Sequence, residues 1–304
     1  MAALDRSRAR IGALSPNVRG MGFMLLSTLS FAAMMLCARK ASETYPASEI
    51  AFFRAVFGML FLAPLLIRSH LAVVRTRRLG LHVYRNVLHA FAVITWFVGI
   101  AAINLNDAMA LQFTTPLFTM FLAALLLKEP VDLTRWLAAL AAFLGVLVIL
   151  RPGFAAVSVP ALIVLGSSAL FGYTNFLTKV MSRSESGYTV VFYMNLVHMP
   201  VALAFAVFVW ITPAWADLPV LAGTGIAAWM AHVFMTKSFS LADANTVMPI
   251  DFVKLPFITL MAYAFFDQLP TVWSWAGGII IFAATYAVVR KGARAAAAPA
   301  RETA

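Results

Sequence analysis

Ten long apolar runs dominate this chain, at 20–38, 50–67, 86–106, 108–127, 136–150, 157–178, 188–211, 218–236, 244–266 and 271–289. Most reach the ~20 residues with which an α-helix crosses ~30 Å of hydrocarbon. The fifth, Trp136 to Leu150, is short and bounded by Arg135 and Arg151. In lipid every backbone N–H and C=O must be satisfied internally, which leaves helices or a closed barrel. Barrel strands would be ~10 residues of alternating pattern. These runs are longer and continuous, so the expectation is an all-α integral membrane protein with ten transmembrane helices. Composition agrees, with 62% hydrophobic and 12% charged residues, where soluble domains have about half and a quarter. Ten such helices use about 200 of the 304 positions, which leaves no room for a soluble catalytic domain.

The charges fall on one side. With a cytoplasmic N-terminus and ten crossings, that side holds Arg6, Arg8, Arg10, Arg19, Arg68, Arg75, Arg77, Arg78 and Arg85. It also holds Lys128, Arg135, Lys179, Arg183, Lys237, Arg290, Lys291, Arg294 and Arg301, making 18 of the 23 basic residues. The far side holds Arg39, Lys40 and Arg151, while Arg54 and Lys254 lie inside helices. This positive-inside asymmetry predicts an inner-membrane protein with both termini cytoplasmic. It also accounts for the net charge of +11 without a nucleic-acid partner. The basic start followed by an apolar run has the look of a signal peptide, but "CARKA" is a poor cleavage site, so the first helix is expected to stay. One cysteine, Cys37, excludes an internal disulfide and a multi-cysteine metal site.

The two halves echo each other. Leu105 and Asp107 match Leu241 and Asp243 at an offset of 136, and Trp136, Arg151 and Gly153 match Trp275, Arg290 and Gly292 at 139. Phe31 matches Phe171, and Arg39 aligns with Lys179, at 140. The organisation expected is a basic cytoplasmic segment at 1–19, a first repeat at 20–153 and a second at 154–292. A low-complexity tail at 293–304 is expected to be disordered. Five helices per repeat turn the second copy upside down. Inverted repeats are the build of secondary transporters, with a substrate site near the midplane where the halves meet.

Several polar residues sit at that depth. Asp251 and Lys254 lie in the middle of "TVMPIDFVKLPFITLMAYAFF", three residues apart and so on one helix face. A charge at a helix centre costs roughly 2.5–3.5 kcal/mol on insertion scales, so it needs a partner or a wet cavity. Two readings stand open: a self-neutralising pair that sets packing, or a cavity wall that binds a charged or zwitterionic substrate or passes a proton. Pro249 and Pro256 flank the pair and can break the helix there. Arg54 either snorkels to the interface or clamps an anion with two parallel hydrogen bonds. Trp96 aligns with His232 at the offset of 136, and Gln112, Tyr173, Asn175 and Asn195 are further mid-depth positions. Each alone suits helix packing; together they could line a cavity that stacks a ring or a cation. His89, His198 and His232 lack metal-ligand spacing, while His232 is a candidate for proton coupling. "KEP" at 128–130 reads as a helix-ending turn.

At these residues the chain resembles the EamA-type members of the drug/metabolite transporter superfamily. The likeness rests on "SEIAFFRAVFGMLFLAPLL", "TTPLFTMFLAALLLKEP" and "RWLAALAAFLGVLVILRPG" in the first half, and on "PIDFVKLPFITLMAYAFFDQLP" and "WAGGIIIFAATYAVVR" in the second. It covers roughly 20–290. "SEIAFFR" and "TTPLFTMFLAALLLKEP" look most like the S-adenosylmethionine carrier and amino-acid exporter branch. Gln268 departs from the pattern, standing where the second half usually has Glu. The resemblance implies a ten-helix carrier of a small polar metabolite, with no ATP hydrolysis, no cofactor and no enzymatic activity. Protons are a possible coupling ion, lipid is the solvent, and the assembly is a monomer or homodimer. The alternative is an exporter of drug-like or riboflavin-type molecules, and after it a passive channel. The chain has no P-loop, no G-x-S-x-G and no paired metal ligands, so nothing supports a membrane enzyme.

Overall fold

A computed structural model describes residues 15–68, 72–102, 111–112, 114–128, 133–150, 159–266 and 272–297. Among them are ten helices of thirteen or more residues: α1 Pro16–Ala41, α2 Ala47–Arg68, α3 Leu79–Ala102, α4 Thr115–Leu127 and α5 Leu133–Leu150, then α6 Val159–Met181, α7 Gly187–Ala206, α8 Leu218–Leu241, α9 Lys254–Phe266 and α10 Val272–Ala297. Among the described residues, five stretches are long and apolar enough to cross a membrane: α1, α2, α7, Trp215–Leu241 and Met248–Phe265. At 1.5 Å per residue the 26 residues of α1 span about 39 Å, enough for the hydrocarbon with some tilt. Asp107, Glu129, Arg151, Gly153 and Gln268, and with them part of the repeat match and of the "KEP" turn, lie outside the described residues.

The helices pair in a pattern that survives exchange of the two halves. The most extensive contacts join α1 to α8, α5 to α10, α3 to α6 and α2 to α7. Replacing each helix by the one five places along turns α1–α8 into α6–α3 and leaves α2–α7 and α5–α10 unchanged. The aromatic contacts obey the same rule. Phe31 of α1 meets His232 of α8 edge-on at 5.0 Å, and Phe171 of α6 meets His89 of α3 edge-on at 5.4 Å. The turn before α2 contacts the segment after α7, since Tyr45 bonds to Asp217. The segment after α2 contacts the turn before α7, since Thr76 bonds to Glu185. So α2 and α7 run antiparallel.

Glycine permits the closest of these approaches. A Cβ on Gly225 of α8 would lie 2.8 Å from the Arg54 carbonyl oxygen and 2.8 Å from the Gly58 nitrogen of α2. Backbone meets backbone there, and no side chain fits. The ninth segment breaks as its prolines predict. A short helical turn, Ala244–Val247, leads into a 3₁₀ stretch, Met248–Val253, before α9 begins at Lys254. Pro249 opens the 3₁₀ stretch and Pro256 falls in the first turn of α9, where a missing N–H costs least.

Three of the boundaries that differ from expectation bear on the charged residues or the tail. First, α3 begins at Leu79 rather than 86, so Arg85 lies inside it and not on a cytoplasmic loop. The helix continues because His82, Arg85, Asn86 and His89, at 3-1-3 spacing, form one stripe that is turned inward and fully buried. Second, α6 runs to Met181 and buries Lys179, whose Nζ donates to the Phe239 and Ala242 carbonyls at 3.0 and 2.6 Å and so caps the end of α8. Third, α10 continues to Ala297 through the alanine-rich start of the tail, a composition of the highest helix propensity.

Candidate functional site

The buried stripe of α3 faces α2, α7 and α8, and there the structure gathers an arginine–histidine cluster. Arg54 is buried, which removes the snorkelling alternative. Its Nη2 lies 2.9 Å from Nδ1 of His198, and its Nη1 lies 3.8 Å from the Met34 sulfur. His198 Nε2 lies 3.1 Å from Nδ1 of His89, and the two rings stack at 5.0 Å. His89 meets His232 edge-on at 5.2 Å. Arg85, fully buried, donates from Nη1 to Oδ1 of Asn86 at 2.6 Å.

The hydrogen positions in this chain are dictated. A guanidinium only donates. His198 must therefore present its Nδ1 lone pair to Arg54 and carry its proton on Nε2. That proton points at Nδ1 of His89, which must accept. Both imidazoles are neutral in this arrangement, and the cluster carries the two arginine charges. Among the described residues neither has a carboxylate within 4.0 Å.

Several buried atoms here meet no hydrogen-bond partner among the described residues: Nε and Nη2 of Arg85, Nδ2 of Asn86, Nδ2 of Asn195, and both ring nitrogens of His82 and of His232. A buried donor left unmade costs about 1–3 kcal/mol, and more when charged. So many in one neighbourhood is a departure from ordinary packing.

Phe31 joins this cluster to a second one. Its ring meets that of His232, and Lys254 Nζ lies 5.3 Å from its centroid. Lys254 donates to Asp251 at 2.9 Å, and Thr28 of α1 donates to the other carboxylate oxygen at 3.3 Å. The 3₁₀ stretch is what turns Asp251 toward α1.

Of the positions named from sequence, His232, Asp251 and Lys254 are thus linked through Phe31, and Arg54 joins them through His198 and His89. Asn195 is buried, its amide against Gly58 of α2. Trp96 sits in the apolar core. Its proposed equivalence to His232 is corrected: His89 makes the contact that mirrors that of His232, at an offset of 143, which a constant repeat offset cannot find. Tyr173 is half-buried and pairs with the exposed Tyr84, the hydroxyls 3.4 Å apart. Asn175, one turn beyond Phe171 on α6, and Gln112, just ahead of α4, are half-buried and do not hydrogen-bond to the cluster. Sequence reasoning missed Arg85 and Asn86, and it weighed His89 and His198 only as metal ligands. The 3-1-3 stripe in "HVYRNVLH" was the available signal.

Comparison with known proteins follows this geometry. The EamA-like transporter family model matches twice, at residues 18–151 and 159–290. A riboflavin transporter of Rhizobium johnstonii is 32% identical over 98% of this chain and 97% of its own length. An S-adenosylmethionine uptake transporter of Rickettsia felis is 27% identical over 91% of this chain and 94% of its own. A protein of known crystal structure superposes with a TM-score of 0.78 over 91% of this chain and 98% of its own, at 14% identity, a likeness of fold alone.

Proposed function

This chain belongs to the EamA-like transporter family, and on that premise we propose that it is a secondary carrier of a small polar metabolite, working by alternating access without ATP hydrolysis. It is a transporter-family, multi-pass membrane protein. The two repeats, 20–153 and 154–292, are inverted copies that rock about a central site. The exchange symmetry of the helix pairs and the antiparallel α2–α7 pair support that arrangement. In this reading the chain sits in the inner membrane with both termini cytoplasmic, as its charge asymmetry suggests.

The observation that carries the proposal is the convergence of Arg54, Arg85, His198, His89 and His232 with Asp251 and Lys254, linked through Phe31. Ionisable residues at membrane depth mark substrate and ion pathways. They come here from helices of both halves, where alternating access needs its site. Asp251 and His232, the titratable groups the sequence pointed to, are the candidates to exchange a coupling proton.

The test is a thermal-shift screen of the detergent-purified protein against S-adenosylmethionine, amino acids, riboflavin and nucleosides. Flux of any hit is then measured in proteoliposomes. A ligand at 100 times its dissociation constant adds ~2.7 kcal/mol of apparent stability. Saturable, stereoselective flux supports the carrier. Flux that is linear in concentration would favour a channel. The name of the Rhizobium relative makes riboflavin the second substrate class to try.

A further inference from the structure

We propose that the buried edge of Arg85 is an oxyanion-binding site, so that the cargo carries a carboxylate or phosphate group which Arg85 holds deep in the protein. For calling the anion a cargo, this rests on the carrier reading above; the binding itself does not.

The geometry is selective. Asn86 takes Nη1 of Arg85, leaving Nε and Nη2 without an acceptor. Those two nitrogens lie on one edge of the guanidinium and point two N–H bonds in parallel. Two parallel donors match the two oxygens of a carboxylate, or two oxygens of a phosphate. The adjacent Asn86, whose Oδ1 takes Nη1, adds one more unmatched donor, its Nδ2. The complement of such a surface is rich in acceptors and negatively charged.

Charge leads to the same ligand. Arg54 and Arg85 are both buried, and the carboxylate of Asp251 is committed to Lys254 and Thr28. Removing a paired charge from inside a protein destabilises it because the partner is left uncompensated. Here two arginines are already in that condition. Sequence offered an apolar alternative at each position, since most neighbours on α2 and α3 are apolar. The cationic pair is therefore a cost to the fold that an anion would offset. The remainder of an anionic metabolite would extend past His232 toward Phe31, where Lys254 and Asp251 present one charge of each sign.

Purified protein in detergent is melted in chloride buffer and then, at constant ionic strength, with acetate, succinate or inorganic phosphate replacing chloride. Wild type, Arg85→Gln, Arg85→Lys, Asn86→Asp and the exposed-site control Arg39→Gln are compared. The expected result is a rise in Tm of roughly 2–4 °C for wild type and Arg39→Gln with at least one oxyanion. Arg85→Gln loses the response. Arg85→Lys loses most of it, because an ammonium is not a two-pronged donor. Asn86→Asp places a carboxylate beside Arg85, so it melts higher than wild type in chloride and no longer responds. Whether acetate and succinate or phosphate give the shift identifies the headgroup. The absence of any oxyanion shift in wild type overturns the proposal, and so does an undiminished shift in Arg85→Gln. If Arg85→Gln does not fold, a wild-type-like response in Asn86→Asp overturns it. Oxyanion binding without metabolite flux would instead defeat the carrier reading, and saturable flux of an uncharged metabolite without oxyanion binding defeats this inference alone.

Discussion

The hydroxyl of Tyr45 donates to Asp217 at 2.6 Å, joining the α1–α2 turn to the segment before α8 across 172 residues of sequence. The Ala214 amide donates to the same hydroxyl, and Glu49 accepts from the Ile211 amide nearby. At the other end of α2, Thr76 donates to Glu185 at 2.6 Å. Each bond ties one half of the chain to the other, and the two sit at opposite ends of the antiparallel α2–α7 pair. A carrier that alternates must break one while keeping the other.

Tyr45→Phe is therefore expected to open one end selectively. Cys37, the chain's single cysteine, reports on that end. It lies half-buried near the close of α1, its sulfur 2.9 Å from where a Cβ on Gly223 of α8 would be. Maleimide labelling of Cys37 should quicken several-fold in Tyr45→Phe and stay at the wild-type rate in Thr76→Val. Equal acceleration in both variants would mean general loosening and not a latch. The bond to Asp217 raises the Tyr45 phenol above its ordinary 10.0. A raised pKa on a group that is neutral when protonated means that the bond's contribution is complete below pH 10 and is lost as pH climbs through the raised value. The gap in melting temperature between wild type and Tyr45→Phe should accordingly be flat through neutral pH and close only in strong alkali.

Arg54→Lys tests whether the cluster needs a guanidinium or only a positive charge. A planar fork reaches His198 and the Met34 sulfur together, whereas an ammonium is a point donor on a different stem. Uptake into proteoliposomes should fall by about tenfold or more, the scale of losing one bond to a charged group. Protein yield in the membrane fraction should not change. Wild-type flux in Arg54→Lys would reduce Arg54 to a packing residue.

The fold was readable in the sequence to a degree that the site was not, and the reason is physical. Lipid imposes one rule on every spanning segment, so apolar run length located each of the ten helices to within a few residues at most ends. The same rule misled at α3, where Arg85 ended the apolar run but not the helix. Hydropathy counts a charge without asking which way it faces. Asp251 and Lys254 were legible because two charges in an oily run have no other account, and Pro249 marked the break that presents them. The Arg54–His198–His89 chain was not, since it joins α2, α7 and α3 and no local spacing encodes it. Tyr173 and Trp96 show the converse. Each is an aromatic of the right depth, and the structure turns one toward Tyr84 and the other into the core.

Asp251→Asn should abolish transport while leaving the protein in the membrane. Asparagine keeps an oxygen for Thr28 but takes away the carboxylate to which Lys254 donates. If the pair only neutralised itself, the double variant Asp251→Asn with Lys254→Met would restore both stability and flux. If Asp251 takes part in transport, the double variant regains stability alone. Melting temperature and flux, measured on the same preparations, separate the two. Normal flux in the single variant removes Asp251 from the mechanism.

Gly225→Ala probes the backbone contact that sets Arg54 in place. The added Cβ would lie 2.6 Å from the Phe57 Cβ and 2.8 Å from the Arg54 carbonyl, and neither is the far end of a flexible side chain. Relief requires α8 to move away from α2. Overpacking of this kind costs about 1–3 kcal/mol, so the variant should melt several degrees lower. The displacement also has a functional consequence, because α8 carries His232 and α2 carries Arg54. Separating them draws the histidine and arginine sides of the cluster apart, and flux should fall by more than the loss of folded protein explains. Gly22→Ala on α1 is the control: a Cβ there meets nothing within 4 Å, and an alanine in a helix is otherwise stabilising. A Gly225→Ala protein that melts and transports like the Gly22→Ala protein would mean that the α2–α8 backbone contact carries no weight, and that the placement of Arg54 rests on its side-chain bonds alone.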